Sequence, residues 1–198
     1  MAADGNDGTR EIARELAGSD PALRILGTPQ RRGKGRGVKD AVALARGAVI
    51  GYADADGKVP FAELDALLPW LQMGYDGAIG TRAHPESRIE RRPSWLRRAG
   101  SRAFRVLLRA VTGLDGFDDT QCGFKFFRRD AALRLFALQR IDGYMFDVEL
   151  LVHARDLGLK IRQVPIRWRD DGDSRFDLVS GSLADLGELI RIRRSGAR

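Results

Sequence analysis

Two carboxylates stand one residue apart in Tyr52-Ala53-Asp54-Ala55-Asp56-Gly57, directly after the apolar run Ala48 to Ile50. At a strand end, Asp54 and Asp56 can hold a hard divalent cation. Mg²⁺ takes one or two protein carboxylates and completes its oxygen shell from substrate phosphates and water. The same letters also spell an ordinary Asp-Gly turn. The pattern alone is weak; its position at a strand end adds weight to chemistry without displacing the turn, because ligands in open α/β sheets bind beyond the carboxyl ends of strands.

A second candidate is the loop Gly27-Thr28-Pro29-Gln30-Arg31-Arg32-Gly33-Lys34-Gly35. It is not an ATPase phosphate loop: five residues separate Gly27 from Gly33, and Gly35 stands where a metal-binding hydroxyl is needed. A basic, glycine-rich loop that opens a helix still approaches an anion closely through backbone N–H groups. The bland alternative is a solvated loop. A third group, Asp118-Asp119-Thr120-Gln121-Cys122-Gly123-Phe124-Lys125 with Phe146-Asp147-Val148-Glu149, offers acids and a lysine beside a strand start. These residues suit catalysis, or simply a loop and a helix N-terminus that favours acidic side chains. Cys122 lies beside acids and not a histidine, which argues against a nucleophilic thiol. His84 and His153 lack ligand spacing; His153 reads as an ordinary helix residue, and His84 has no assignable role.

The elements that must position these groups alternate along the chain. Apolar runs predict strands at Leu23 to Leu26, Ala48 to Ala53, Gly77 to Thr81, Gly123 to Phe127 and Ile161 to Trp168. Amphipathic patterns predict helices at Thr9 to Ala17, Val38 to Ala45, Phe61 to Met73 and Trp95 to Val111. Three more follow at Ala131 to Leu138, Phe146 to Leu157 and Leu183 to Ile192. The alternation predicts one α/β domain with a largely parallel sheet.

Charge is concentrated. The 198 residues carry a net +7, and the segment Arg82 to Arg109 alone, with nine arginines and two acids, accounts for it. Arg98, Arg102, Arg105 and Arg109 form one stripe, and Leu96, Ala99, Ala103, Val106 and Ala110 form an apolar face. Arg97 and Ser101, four apart, are neighbours. A basic face can be plain solvated surface, but this density suits lipid headgroups or phosphates. An apolar content of 43% supports a real core, while a single cysteine excludes an intrachain disulfide and a Cys-based zinc site. No run approaches the roughly 18 apolar residues of a spanning helix. Met1 to Arg14 does not read as a signal peptide. A soluble or peripheral chain is expected.

Taken together, these segments resemble family 2 glycosyltransferases of GT-A fold, closest to the dolichyl-phosphate (polyprenyl-phosphate) β-glucosyltransferases. The matching text is Asp4-Gly5-Asn6-Asp7-Gly8-Thr9, Arg32-Gly33-Lys34-Gly35, Asp54-Ala55-Asp56-Gly57 and Gly80-Thr81-Arg82-Ala83-His84. It continues through Asp119-Thr120-Gln121-Cys122-Gly123-Phe124-Lys125, Phe146-Asp147-Val148-Glu149-Leu150-Leu151 and Gln163-Val164-Pro165-Ile166-Arg167-Trp168. The resemblance implies a nucleotide-diphospho-sugar transferase fold. It also implies an inverting enzyme that moves a hexose, glucose first, from a UDP-glucose or GDP-mannose type donor to polyprenyl or dolichyl phosphate. Asp54 and Asp56 would bind Mg²⁺ or Mn²⁺ and grip the diphosphate, with Lys34 and Gly35 near the nucleotide. Arg82, Arg97 and Ser101 would hold the acceptor phosphate. Asp119 and Gln121 would border the sugar, so that Asp56, Asp119 and Gln121 make up the implied catalytic set. The family's opening strands lie before the first match, so residues 1–198 are expected to form one N-terminally truncated domain with a basic helix at 95–111 and a C-terminal amphipathic helix at 183–194. The implied location is cytoplasmic, peripheral at the inner face of a membrane, with an anionic lipid contact and no nucleic-acid partner. The alternative from another class is an inactive paralogue acting as a basic membrane- or nucleic-acid-binding module.

Overall fold

Phe124, Lys125, Phe126 and Phe127 are all buried, so the strand that carries them must be covered on both faces and flanked on both edges. The computed structural model describes residues 8–27, 32–90, 95–169 and 180–195, with backbone alone at 95–99, 180–184 and 194–195. Along these residues run α1 (Thr9–Ser19), α2 (Lys34–Leu44), β1 (Val49–Ala53), α3 (Leu64–Gln72), β2 (Gly77–Thr81), β3 (Arg88–Ile89) and α4 (Trp95–Thr112). They are followed by β4 (Phe124–Arg128), α5 (Arg129–Leu138), α6 (Phe146–Asp156), β5 (Ile161–Pro165), β6 (Arg167–Trp168) and α7 (Ser180–Ser195). The main sheet has the order β1-β4-β2-β5, which places the aromatic strand β4 inside it.

The sheet is mixed, not largely parallel as the alternation suggested. β4 pairs antiparallel with both β1 and β2, and only β2 and β5 pair in parallel. The reason is the route of the chain into β4. The loop that follows α4 passes along the carboxyl ends of β1 and β2, where Gly123 O accepts from Asp54 N at 2.8 Å and Asp119 Oδ2 accepts from Arg82 N at 2.9 Å. Entering from that end, β4 has to run against its neighbours. The same route delivers residues 119–123 to the strand ends.

Helices cover both faces. Leu67 and Leu71 of α3 pack on Ala78, Phe124, Phe126 and Val164 on one side. On the other, side chains of α2, α4, α5, α6 and α7 enclose Ile50, Tyr52, Ile79 and Phe127. This is the α/β layering that the alternation of elements called for.

Several boundaries differ from the sequence reading. Leu23 to Leu26 forms no strand: Leu26 makes a single bridge, and a four-residue run broken by the exposed Arg24 sustains no ladder. The run Ile161 to Trp168 divides at the buried Ile166, β5 pairing with β2 and β6 with β3, because Pro165 has no N–H to continue the first ladder. A three-residue 3₁₀ turn, Phe61–Glu63, opens the helix expected from Phe61. α2 begins four residues before the expected Val38, at Lys34.

The orientation of α4 is also corrected. Phe104, Leu108 and Val111 face the core, spaced i, i+4 and i+7. Ala103, Val106 and Ala110 of the expected apolar face are exposed, Val106 to 69%. Both faces of this helix are apolar, and the one carrying Phe104 and Leu108 buries more surface. Leu108→Ala is therefore expected to lower the unfolding free energy by about 2–5 kcal/mol. Val106→Ala should stay within about 0.5 kcal/mol. Urea denaturation of the two variants checks the assignment.

Candidate active site

The β1–β4 register sets Tyr52 directly opposite Lys125, and both side chains point toward α6. A fully buried ammonium requires a counter-ion. Asp147, in the first turn of α6 and itself buried, supplies it. Its Oδ1 accepts from Lys125 Nζ and from the Tyr52 hydroxyl at 2.5 Å, while Oδ2 lies 3.4 Å from Lys34 Nζ. Lys125 Nζ also donates to Cys122 O at 2.6 Å. Burial, and then the Asp147 charge, push the Tyr52 hydroxyl well above its ordinary range, so it remains a neutral donor.

Lys34 carries this network outward. Its Nζ lies 2.7 Å from Asp54 Oδ1. Burial works against its charge, but Asp147 and Asp54 outweigh that and hold the ammonium above the ordinary lysine value. Lys125, Asp147, Lys34 and Asp54 thus alternate in sign from the sheet interior to the rim, where the Asp54 side chain is 36% exposed.

Two glycines make this placement possible. Gly33, just before α2, has φ 99°, and a Cβ there would lie 2.2 Å from Asp142 O. At Gly123 a Cβ would sit 2.1–2.3 Å from the carboxylate atoms of Asp54. Each close approach is open to glycine alone. Gln139 Nε2 secures the start of α2 by donating to Gly35 O at 2.9 Å and Ile141 O at 2.8 Å. The Glu149 carboxylate accepts from the backbone N–H groups of Arg140 and Ile141 in the same loop.

At the end of β2, Arg82 and Asp119 form a second pair. Asp119 accepts from Arg82 Nε and Nη2, both at 2.7 Å, in addition to the backbone N–H. Burial would raise the Asp119 carboxyl, but Arg82 overrides it and holds the group below the usual carboxylate range. The Arg82 guanidinium lies 5.6 Å from the centre of the Trp168 ring. The neighbouring Asp118 accepts from Arg109 Nη2 at 3.0 Å through Oδ1 and from Arg105 Nη1 at 3.2 Å through its carbonyl. Two arginines of the expected stripe therefore clamp this loop. Gln163 reinforces it, accepting from Asp118 N at 3.0 Å and donating to Gly116 O at 2.7 Å.

The expected site residues fall into three groups. Lys34, Gly35, Asp54, Arg82 and Asp119 lie around the carboxyl ends of β1 and β2, and Asp56 follows in the turn after β1. Gln121, half-buried, turns its amide toward Met145 Sδ at 4.0 Å. Ser101 is exposed on α4, while the Arg97 side chain and Asp4 to Asp7 lie outside the described residues. Cys122 is buried and its thiol is pushed up to about 12 by burial and then by Asp119, which leaves it protonated and unreactive. His84 Nδ1 accepts from Glu86 N in a local turn. His153 lies on α6 with Nε2 3.6 Å from Glu149 Oε1.

Sequence reasoning missed that Tyr52, Lys125 and Asp147 form one cluster. The signal was available: Lys125 sits among Phe124, Phe126 and Phe127, and Asp147 among Phe146, Val148 and Leu150. Opposite charges that each interrupt an apolar run are candidates for one another.

Asp54 and Asp56 suit a hard dication. Asp56 is 47% exposed on its side chain, and among the described residues no three His, Cys, Asp or Glu side chains gather into a metal-binding group. Two carboxylates leave most of the shell to water and phosphate oxygens, as Mg²⁺ and Mn²⁺ accept.

Asp147→Asn leaves Lys125 buried without a counter-ion, and is expected to cost about 3–5 kcal/mol in denaturant unfolding. The Asp119 pair has a pH signature. Because its carboxyl is depressed in the folded state, its contribution is complete above about pH 4 and is lost as pH falls through the folded value. Asp119→Asn should flatten the acid limb of the stability–pH curve, as measured by thermal melting between about pH 2 and 6.

The profile of the glycosyl transferase family 2 matches residues 2–136. A dolichyl-phosphate beta-glucosyltransferase of Trichomonas vaginalis is 36% identical over 191 residues, covering 94% of this chain and 56% of that protein. One from Dictyostelium discoideum is 31% identical over 194 residues, covering 94% of this chain and 59% of that protein. The chain thus spans rather more than half the length of these relatives. Among solved structures, Mycobacterium tuberculosis glucosyl-3-phosphoglycerate synthase with uridine diphosphate superposes with a TM-score of 0.72 at 23% identity. That match covers 98% of this chain and 67% of the other. The same enzyme has been crystallised with Mg²⁺ and uridine diphosphate. Similarity at this level establishes the fold, which is GT-A. With the family profile spanning most of the sequence and the Asp54–Asp56 turn at the sheet's carboxyl edge, this chain belongs to glycosyl transferase family 2.

Proposed function

We propose that this chain carries the catalytic domain of an inverting, metal-dependent glycosyltransferase. It would move a hexose, glucose first, from a nucleotide-diphosphate donor to polyprenyl or dolichyl phosphate at a membrane surface. The observation that carries the reading is the end of β1. Asp54 and Asp56 offer a cation site there, and Lys34, 2.7 Å from Asp54, adds a positive charge at the start of α2. A cation site and an anion site side by side fit a metal–diphosphate. Two relatives named as dolichyl-phosphate beta-glucosyltransferases support the choice of donor sugar and acceptor.

The residues divide the work as follows. Asp54 and Asp56 would hold Mg²⁺ or Mn²⁺, which on binding neutralises charge developing on the leaving diphosphate. Lys34 adds its ammonium to the same oxygens, and Gly35, with no side chain, lets the start of α2 pack against Ile141 and Phe146 and so holds Lys34 near the nucleotide. Asp119 and Gln121 border the sugar. Asp119 is a weak general base, since both of its oxygens are engaged by Arg82, which lowers its basicity. That fits an acceptor that is already a nucleophile. A phosphate monoester, with a second pKa near about 6, is largely dianionic at pH 7 and needs no base. Single displacement by that oxygen inverts the anomeric centre.

Arg82, with one guanidinium nitrogen outside the Asp119 fork, would face the acceptor phosphate, together with Arg97 and Ser101 on α4. No helix among the described residues is long and apolar enough to cross a membrane. α4 exposes Val106 and Leu107 beside Arg102 and Arg109, a combination suited to peripheral contact with anionic lipid at the cytoplasmic face.

The test is a product assay. Incubation with UDP-glucose or GDP-mannose, Mg²⁺ or Mn²⁺ and a polyprenyl phosphate should give a lipid-linked hexose from UDP-glucose. Asp56→Asn is expected to lower turnover at least about 100-fold while leaving the circular-dichroism spectrum unchanged. No lipid-linked hexose from any nucleotide sugar would contradict the reading.

A further inference from the structure

Lys34 lies between two carboxylates that differ in what they can give up. Asp147 is buried, and its other oxygen is already committed to Lys125 and Tyr52, so it cannot leave. Asp54 is at the rim, and Lys34 Nζ occupies one of its oxygens at 2.7 Å. The base of the lysine is fixed as well. Gly33 lies against Asp142, and a Cβ at Gly35 would lie 2.7 Å from both Ile141 O and Phe146 Cβ. What can move is the end of the side chain, pivoting on a bound start.

We propose that Lys34 is an exchangeable counter-ion. It neutralises Asp54 until a dication takes that carboxylate, and then, retained by Asp147, turns its ammonium to the incoming diphosphate. This rests on Asp54 and Asp56 being the cation site of the proposed reaction, and it adds how that site is kept neutral and then loaded. Charge bookkeeping agrees. Lys34, Lys58 and Lys125 balance Asp54, Asp56 and Asp147, with Lys58 Nζ 3.8 Å from Asp56 Oδ2. Adding a dication and a doubly negative diphosphate ester leaves the balance at zero. Removing Lys34 on loading would leave the site one charge too negative. A lysine that moves between partners keeps its charge in place and frees the oxygen the metal needs. Asp147 acts as a positioning residue, holding Lys34 within reach of both.

The test separates metal from nucleotide. Free Mn²⁺ is followed by electron paramagnetic resonance in nucleotide-free protein, and uridine diphosphate binding by calorimetry at saturating Mn²⁺. Lys34→Met should bind Mn²⁺ alone at least about fivefold more tightly, because a competing cation has gone. It should bind uridine diphosphate at least about fivefold more weakly, because a phosphate partner has gone. Lys58→Met, whose ammonium is farther from its carboxylate, should change Mn²⁺ binding less than about twofold. Folded Asp147→Asn should bind Mn²⁺ more weakly than wild type, since Lys34 then has Asp54 alone; if it unfolds, Lys34→Met decides by itself. Mn²⁺ affinity unchanged or reduced in Lys34→Met overturns the exchange, as does uridine diphosphate affinity that stays level. If wild-type Mn²⁺ binding does not depend on Asp56, the cation-site reading falls and the exchange with it.

Discussion

The carboxylate of Asp147 is buried, and donors from three separate elements converge on it: Lys125 from β4, Tyr52 from β1 and Lys34 from α2. A buried charge that loses its partner is severely destabilising. This one group therefore couples the pairing of β1 with β4, the docking of α6 on the sheet and the position at which α2 begins. Slipping β1 by one residue would turn Tyr52 to the opposite face, away from Asp147. Shifting α6 would expose Lys125 to an apolar shell. The ion pair contributes more to choosing one arrangement than to net stability, as buried pairs offset desolvation poorly. The arrangement it chooses presents Lys34 to Asp54.

A second constraint comes from the direction of β4. Because the chain returns over the carboxyl ends of β1 and β2, residues 119–123 form a rim between Asp54 and Arg82. Gly123 lets the Asp54 carboxylate lie against the backbone, and Asp119 neutralises Arg82. An aspartate paired in this way balances the charge of Arg82 and is a weak base. That pairing is compatible with the proposed acceptor, which brings its own negative oxygen. The clamp from Arg105 and Arg109 to Asp118 ties α4, the helix that carries the basic segment, to the same rim.

Much of this was legible in the residues. The Asp54–Asp56 turn after an apolar run and most of the alternating helices and strands lie where local pattern placed them, and the glycine-rich loop does open α2, though four residues earlier than its apolar pattern indicated. Strand direction was not legible, because period-two alternation carries no sense of direction and the turn geometry after α4 is not written in any short motif. The inner face of α4 was ambiguous for a different reason. Two apolar stripes compete on it, and only tertiary packing shows that Phe104 and Leu108 beat Val106. The Lys125–Asp147 pair joins residues 22 positions apart, beyond the reach of helix or strand periodicity. Leu23 to Leu26 shows the opposite failure: apolar letters in a row make a strand only where a neighbour completes the ladder.

The proposed reaction depends on a metal–diphosphate binding at the carboxyl end of β1, against Lys34. The most direct measurement is the paramagnetic broadening of backbone amide signals by Mn²⁺ in the presence of uridine diphosphate. Residues 54–57 and Lys34–Gly35 are expected to lose intensity first, with residues 119–123 next and α1 and α3 spared. Broadening centred on α4, or none at residues 54–57, would contradict it.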